Sequence, residues 1–321
     1  MDDKLLIDKA KVFADENIAL DYSKALFPDA SNFFLINHGY DNVVILVDAN
    51  YAIRFPRNKN AYLRSLYERQ LLNKLKDVTA VAIPNIISTH HEPECMVTSF
   101  VPGRHISSQA DNELPTELQL NFANKVAEFV FVLHSKLSIK EAKIARKKLK
   151  LDELLEEPWD IYFKKTIYSH KLPTLTQDKL AKWQYKQWLR AKHSSELVVI
   201  HDDLHTENML FNENNELVGV LDFGDTNIGS PEQELRSLYR INEFVLVAAV
   251  KMYEKLSSQQ LNIEYAKYWA ILQEIAAYSS HINDQSTSHP SFSRACRNLN
   301  KWLPDGKWGD GIQIMSGGTI Q

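Results

Sequence analysis

Cysteine is scarce. The 321 residues hold two, Cys95 and Cys296, far apart in the chain. That excludes a disulfide scaffold and a cysteine-based zinc site. A basic surplus is also missing: 37 lysines and arginines stand against 41 aspartates and glutamates, a formal net charge of −4. Broad nucleic-acid binding leaves a basic footprint that this balance lacks. Long apolar runs are absent too. The longest, Phe129–Leu133 and Phe244–Val250, fall far short of the ~20 residues that span a bilayer. The first ten residues, MDDKLLIDKA, are charged throughout and contain no apolar signal segment. Ten glycines and eleven prolines exclude a collagen-like or linker-rich chain. No repeat period is visible. The expectation is a cytoplasmic monomer with neither nucleic acid nor membrane as a partner.

What remains is ordinary globular composition, 44% hydrophobic and 24% charged. The length exceeds the roughly 250 residues at which single cores begin to stop growing, so two lobes are expected. Residues 1–100 read as strand-rich. A helix is expected over Asp8–Ser23. A hairpin is expected from Val43–Val47 and Tyr51–Phe55 around the turn Asp48-Ala49-Asn50. Ala61–Leu75 carries a helical pattern, and Ile83–Thr89 and Cys95–Val101 are candidate strands. Pro102-Gly103 then closes the strand-rich part. Beyond it, Phe122, Val126, Phe129, Val130 and Leu133 mark an amphipathic helix ending near His134. Trp159–His170, Thr176–Ser194, Pro231–Leu256, Ile263–His281 and Phe292–Leu303 read as further helices. A β insert of three strands, Leu197–Ile200, Asn208–Phe211 and Leu217–Leu221, interrupts them. The basic run Lys140–Lys150 reads as a solvated helix face. Residues 306–321 read as a flexible tail.

Chemistry concentrates in His201-Asp202-Asp203-Leu204-His205-Thr206-Glu207-Asn208, followed fourteen positions later by Asp222-Phe223-Gly224. If the strands flanking the Asn212–Glu216 turn pair, Asn208 and Asp222 converge. Oxygen donors of that kind suit Mg²⁺, which takes one or two protein oxygens and leaves other positions to water and phosphates. Asp203 then faces a substrate hydroxyl, to orient it and take its proton late. This division of labour is what phosphoryl transfer needs. A zinc or iron reading of His201, Asp203 and His205 leaves Asn208 and Asp222 unexplained. His201 and His134 read as structural histidines.

The pattern H-x-D-L-H-x-x-N-x-L with G-V-L-D-F-G-D resembles the aminoglycoside phosphotransferase family more closely than protein kinases. One departure is Asp202, where the family usually has Gly. The resemblance implies an α+β, protein-kinase-like bilobal fold. Its small antiparallel-sheet N-lobe would be residues 1–100, and its larger helical C-lobe residues 101–321. It implies Asp203 as catalytic residue, Asn208 and Asp222 as Mg²⁺ ligands, and ATP, with GTP possible, as donor. Arg54, in Tyr51–Pro56, resembles the basic residue that holds the phosphates, with Glu68 as its acidic partner. Asn37–Asn42, with Gly39, Asp41 and Asn42, resembles the nucleotide-positioning loop. Met96–Gly103 resembles the hinge, which would place adenine against Ser99 and Val101.

Ser230–Leu235 resembles the segment after the metal loop, with Ser230 and Glu234 in place of the usual acid and Asp. The acceptor implied is a hydroxyl of a small, cationic molecule, an aminoglycoside. Asp152, Glu153, Glu156, Glu157, Asp160, Glu232 and Glu234 could supply an acidic pocket for it or could equally be helix-surface charges. Asp225 either contacts metal or substrate or caps a turn, and Trp159 reads most simply as core with pocket lining as the alternative. Two alternatives stand beside this: a small-alcohol kinase of the same fold acting on choline, homoserine or a sugar, and a non-catalytic nucleotide-binding protein.

Overall fold

The computed structural model describes residues 13–37, 39, 41–106, 114–151, 159–170, 172–192, 196–303 and 308. The chain forms two compact units, Met1–Leu155 with Ser195–Leu261, and Glu156–Ser194 with Asn262–Gln321.

The first unit opens with helix α1 (Glu16–Leu26). Asp15 sets its start by accepting the Ile18 N–H at 2.9 Å, so Phe13 precedes the helix and residues 8–12 of the expected one lie outside the described residues. Strands β1 (Phe33–Ile36), β2 (Asn42–Val47) and β3 (Tyr51–Pro56) follow, then helix α2 (Lys59–Leu75) and strands β4 (Ile86–His91) and β5 (Glu94–Ser99). The five strands form one antiparallel sheet in the order β1-β2-β3-β5-β4. Side chains of β2 alternate, with Val43, Ile45 and Val47 inward, the period-two signature of a half-buried strand. They share a core with Ala19, Ile53, Phe55, Cys95 and Val97. Asp48 and Ala49 turn the β2–β3 hairpin at positive φ. The Asp48 carboxylate fixes that turn by accepting the N–H groups of Ser31 and Asn32. Helix α2 starts at Asn58, whose side chain accepts the Ala61 N–H at 3.0 Å. It buries Leu63, Leu66, Leu71, Leu72 and Leu75, and also Glu68.

The rest of the first unit is mainly helical. Helix α3 (Thr116–Lys136) and helix α4 (Ile139–Lys148) precede a gap in this unit's sequence. Two short ribbons follow, where a three-stranded insert was expected. Strand β6 (Val198–Ile200) pairs with β9 (Asn227–Gly229), and β7 (Met209–Phe211) pairs with β8 (Leu217–Val220). The β7–β8 ribbon is stitched to the segment after β5, since Arg104 and Phe211 exchange backbone hydrogen bonds of 2.9 Å. Ala82 likewise donates to Val218 and accepts from Val220. Gly219 makes this fit possible: a Cβ there would lie 2.6 Å from Val101 Cγ1.

The helix expected over 231–256 is broken. A short helix α7 (Pro231–Leu235) runs into a 3₁₀ turn (Arg236–Arg240), and helix α8 (Glu243–Ser257) starts afresh. Asn242 causes the restart. Its backbone is extended and its side chain caps Val245 N–H at 2.8 Å. Helices α3 and α8 pack together, and Val126, Val130 and Leu133 on the one and Leu246, Ala249 and Val250 on the other are all buried.

The second unit is a helical bundle of α5 (Trp159–Ser169), α6 (Leu175–Ala191), α9 (Ile263–Asn283) and α10 (Pro290–Trp302). Its core is aromatic: Phe163, Trp188 and Trp269 meet at ring-centroid distances of 5.2–5.7 Å. Trp159, which is only partly buried, joins them at 5.8 Å from Trp269. Residues 306–321, apart from Trp308, lie outside the described residues. Trp308 is buried, donates its N–H to Asn300 and accepts from Gln177 through its carbonyl.

Candidate active site

All the decisive side chains belong to the first unit. Asp203 lies on the loop between β6 and the 3₁₀ turn Thr206–Asn208. Its two carboxylate oxygens are both engaged: Oδ2 accepts Asn208 Nδ2 at 2.9 Å, and Oδ1 stands 3.2 Å from His205 Nε2. Asn208 also donates to the Asp203 carbonyl at 2.9 Å, which fixes the whole 203–208 loop. Burial pushes the Asp203 carboxyl up, but the hydrogen bond and charge of His205, with His201 and Arg236 behind, hold it well below the usual carboxylate range. It is therefore ionised.

The loop rests on a buried scaffold. His201 donates its backbone N–H to Glu234 Oε2 at 2.5 Å, and its Nε2 meets the Leu221 carbonyl at 3.0 Å. Asp202 adopts φ +65°, the left-handed region where glycine is at home. Aspartate is tolerated there because its carboxylate is held by Gln233 Nε2 at 2.9 Å and Arg236 Nη2 at 2.9 Å. The departure from Gly is thus compensated inside the fold.

The 222–226 turn is held from four directions. Arg54 on β3 pairs with Glu68 on α2 at 2.6 Å, and its other terminal nitrogen reaches Asp222 at 3.4 Å. Glu68 Oε1 also accepts the Phe223 N–H at 3.2 Å. Arg64 on α2 contacts Asp225 at 3.0 Å and Asp41 at 3.1 Å. Arg146 on α4, buried, donates to the Thr226 carbonyl at 2.7 Å and lies over the Tyr67 ring. Burial pushes the Glu68 carboxyl up, with Arg54 pulling the other way. Burial disfavours the Arg54 charge, yet Glu68 and then Asp222 raise its pKa above the ordinary guanidinium value. Asp225 is pushed up to about 6, by burial first and then by the charge of Asp203, against the pull of Arg64.

The Leu221 N–H donates to the Asn208 carbonyl at 2.8 Å, so the β7–β8 pairing brings the Asn208 and Asp222 segments together. Asn208 turns its Nδ2 to Asp203, leaving Oδ1 on the opposite side of the amide, and Asp222 is exposed. Two hard oxygen donors of this kind fit Mg²⁺ completed by waters and phosphates. Among the described residues no cluster of three or more His, Cys, Asp or Glu side chains suits a metal.

The family model described as the phosphotransferase enzyme family, APH, matches residues 34–269. The chain belongs to this phosphotransferase family. Solved structures share its fold. The GDP complex of wild-type aminoglycoside 2'-phosphotransferase-IIIa aligns with a TM-score of 0.71 at 18% identity, over 88% of this chain and 97% of the other. The streptomycin–ATP–APH(2")-IIa ternary complex gives 0.61 at 17% identity, over 87% and 96%. Macrolide 2'-phosphotransferase type I gives 0.62 at 15% identity, over 89% and 97%. The phosphotransferase thus has the expected α+β kinase-like fold, with a small antiparallel sheet and a larger helical part, and is a kinase-type enzyme acting on a hydroxyl.

Other expected site residues of the phosphotransferase fall as follows. Gly39 accepts from Arg57 Nε at 3.0 Å through its carbonyl, and Asp41 and Asn42 lead into β2. His38 and Tyr40 of the same loop lie outside the described residues. Ser99 ends β5, its N–H donating to the Asn85 carbonyl at 2.8 Å. Val101 lies beyond it and its N–H has no hydrogen-bond partner among the described residues. Asp160 belongs to the second unit, where it is exposed and accepts the Ile161 N–H at 3.0 Å. Asp152, Glu153, Glu156 and Glu157 lie outside the described residues.

Glu232 and Glu234 do not line a pocket. They are 0% and 1% exposed, and Glu234 is consumed by the His201 and Asp202 backbone and by His134, whose Nε2 lies 3.6 Å away. The sequence reading missed Arg64, Arg146, Gln233 and Arg236. Arg146 sits inside the basic run, where α4 periodicity turns it inward beside Ala142, unlike the exposed Lys143 and Lys147.

Proposed function

We propose that the chain transfers the γ-phosphate of ATP or GTP to a hydroxyl of a small cationic molecule, with an aminoglycoside as the first acceptor to test. The observation that carries this reading is the Asp203 carboxylate, fixed at both oxygens, beside a turn where Arg54, Glu68 and Asp222 form one chain of contacts. In this reading residues 1–100 position the nucleotide and residues 101–321 carry the acceptor. Gly39, Asp41 and Asn42 face the phosphates, and the backbone at Ser99 and Val101 faces the base. Arg54, aimed by Glu68, draws negative charge off the phosphates. Asn208 and Asp222 hold Mg²⁺, which when bound neutralises charge on the β- and γ-phosphates. Asp203 accepts the acceptor hydroxyl's hydrogen bond, aims its oxygen at phosphorus and receives the proton late, since so weak a base does not remove it early. The half-buried carboxylate of Asp203 and the exposed ones of Asp222 and Asp225 favour a cation at the mouth.

The test is ADP or GDP release with a panel of aminoglycosides, a macrolide, choline, homoserine and sugars, run alongside Asp203→Ala. Turnover with an aminoglycoside that falls at least ~10³-fold in Asp203→Ala supports the proposal. Turnover retained in Asp203→Ala overturns the mechanism. Turnover with a neutral acceptor alone overturns the substrate class.

A further inference from the structure

The loop between β1 and β2 lacks the repeated glycines from which phosphate-binding loops are usually built. Arginines hold it instead. Arg57, just after β3, donates from Nε to the Gly39 carbonyl at 3.0 Å and from Nη2 to the Asn37 carbonyl at 2.5 Å. Its backbone N–H also donates to the Asp41 carbonyl at 2.8 Å. Arg64, one helical turn into α2, contacts both Asp41 Oδ2 at 3.1 Å and Asp225 Oδ1 at 3.0 Å. A single guanidinium therefore ties the β1–β2 loop to the turn that carries Asp222. Nothing in the reaction chemistry described above requires Arg64.

We infer that Arg64 is a positioning residue for the nucleotide: it locks the Asp41 end of the loop to the Asp222–Asp225 turn, so that both meet the same triphosphate. The contacts are half-exposed, with side-chain exposures of 37%, 35% and 51% for Arg64, Asp41 and Asp225. Exposed pairs of this kind contribute little to folding. The geometry matters when a ligand must be held by both segments at once, because a tethered loop gives up less freedom on binding. Both contacts are made by one nitrogen, Nη1, so the bridge rests on a single shared donor and its charge rather than on the guanidinium fork.

The inference rests on the phosphotransferase reading of the 222–225 turn, and its test needs no acceptor. Displacement of a fluorescent nucleotide analogue by ATP and by GTP, with Mg²⁺, gives nucleotide Kd for the full chain and its variants. Arg64→Ala is expected to weaken nucleotide binding by about tenfold, the equivalent of one lost charge-assisted contact. Its melting temperature should stay within ~2 °C of the wild type. Arg64→Lys should recover part of the loss. Asp41→Asn and Asp225→Asn should each weaken binding. Asp225→Asn combined with Arg64→Ala should add no further loss, because both changes cut the same tether. Unchanged Kd in Arg64→Ala, additive losses, or tighter binding in Asp225→Asn would each overturn the inference and leave the proposed function standing. A wild-type chain that binds neither nucleotide would instead overturn the proposed function itself.

Discussion

Glu68→Gln is the sharpest probe of how this site is built. The substitution keeps the shape of the side chain and an oxygen that can accept the Phe223 N–H, now at 3.2 Å. It removes only the charge that Arg54 meets at 2.6 Å. Arg54 is 15% exposed, so water can replace little of what is lost. Removing one partner of a buried pair costs about 3–5 kcal/mol. The lower end applies here, because burial already opposes the Glu68 charge and its Oε2 lies buried without a hydrogen-bond partner. At ~3 kcal/mol, and with ~2–4 °C per kcal/mol for a unit of this size, melting should fall by ~6–12 °C. Circular dichroism reads the melt, and ADP release reads kcat and nucleotide KM. Arg54 loses its aim, so kcat should fall with stability. The double variant Arg54→Met, Glu68→Gln separates the two effects. With no stranded cation it should regain most of the lost stability and remain inactive. A Glu68→Gln protein that melts within ~1 °C of the wild type at full kcat would refute the pairing as the determinant of the site. A double variant with restored turnover would refute the role of Arg54.

Gly219→Ala places a methyl 2.6 Å from Val101 Cγ1. It should cost about 1–3 kcal/mol by overpacking and weaken nucleotide binding more than acceptor binding, read as separate KM values. Asp225 is pushed from its ordinary 3.8 up to about 6, so the fold holds its proton more tightly than the unfolded chain does. Its contribution to stability is therefore greatest below pH ~4 and is lost as pH rises to ~6, a small term for a half-exposed group. Its charged form is the one that holds Arg64, so nucleotide affinity should rise as pH passes about 6, and Asp225→Asn should erase that step in a Kd–pH profile. Glu234→Ala strips the acceptor from the buried N–H of His201 and from that of Asp202. It should cost about 3 kcal/mol or more in melting, and full stability in that variant would show that the 201–203 loop does not depend on it.

The convergence of the 203–208 loop with the 222 turn was the most legible part of this chain. Asp203, Asn208 and Asp222 stand at spacings that follow from a loop, a tight hairpin and a second turn, and local spacing survives folding. The β2–β3 hairpin and helix α2 were legible because period-two and helical patterns are written in consecutive residues. What failed to show depended on partners distant in sequence. Glu232 and Glu234 look like helix-surface acids until the backbone of residues 201–202 arrives to use Glu234. Arg146 looks like one more cation in a basic run until Thr226 and Tyr67 close over it. Strand β9 has three residues, too few for any periodicity. The break at Asn242 was readable in principle, as an Asn followed by Glu at a helix start, but the apolar pattern running through it concealed the cap.

The aromatic core of the second unit has an optical consequence. All six tryptophans, Trp159, Trp183, Trp188, Trp269, Trp302 and Trp308, fall within Glu156–Ser194 and Asn262–Gln321, and the unit that holds Asp203, Asn208 and Asp222 has none. Tryptophan emission therefore originates wholly in the helical bundle, so one cuvette offers separate channels for the two units. A denaturant titration that moves emission and far-ultraviolet ellipticity at different midpoints would show the units unfolding independently. A single tryptophan placed near the 203–208 loop would stand against a first unit that carries no other.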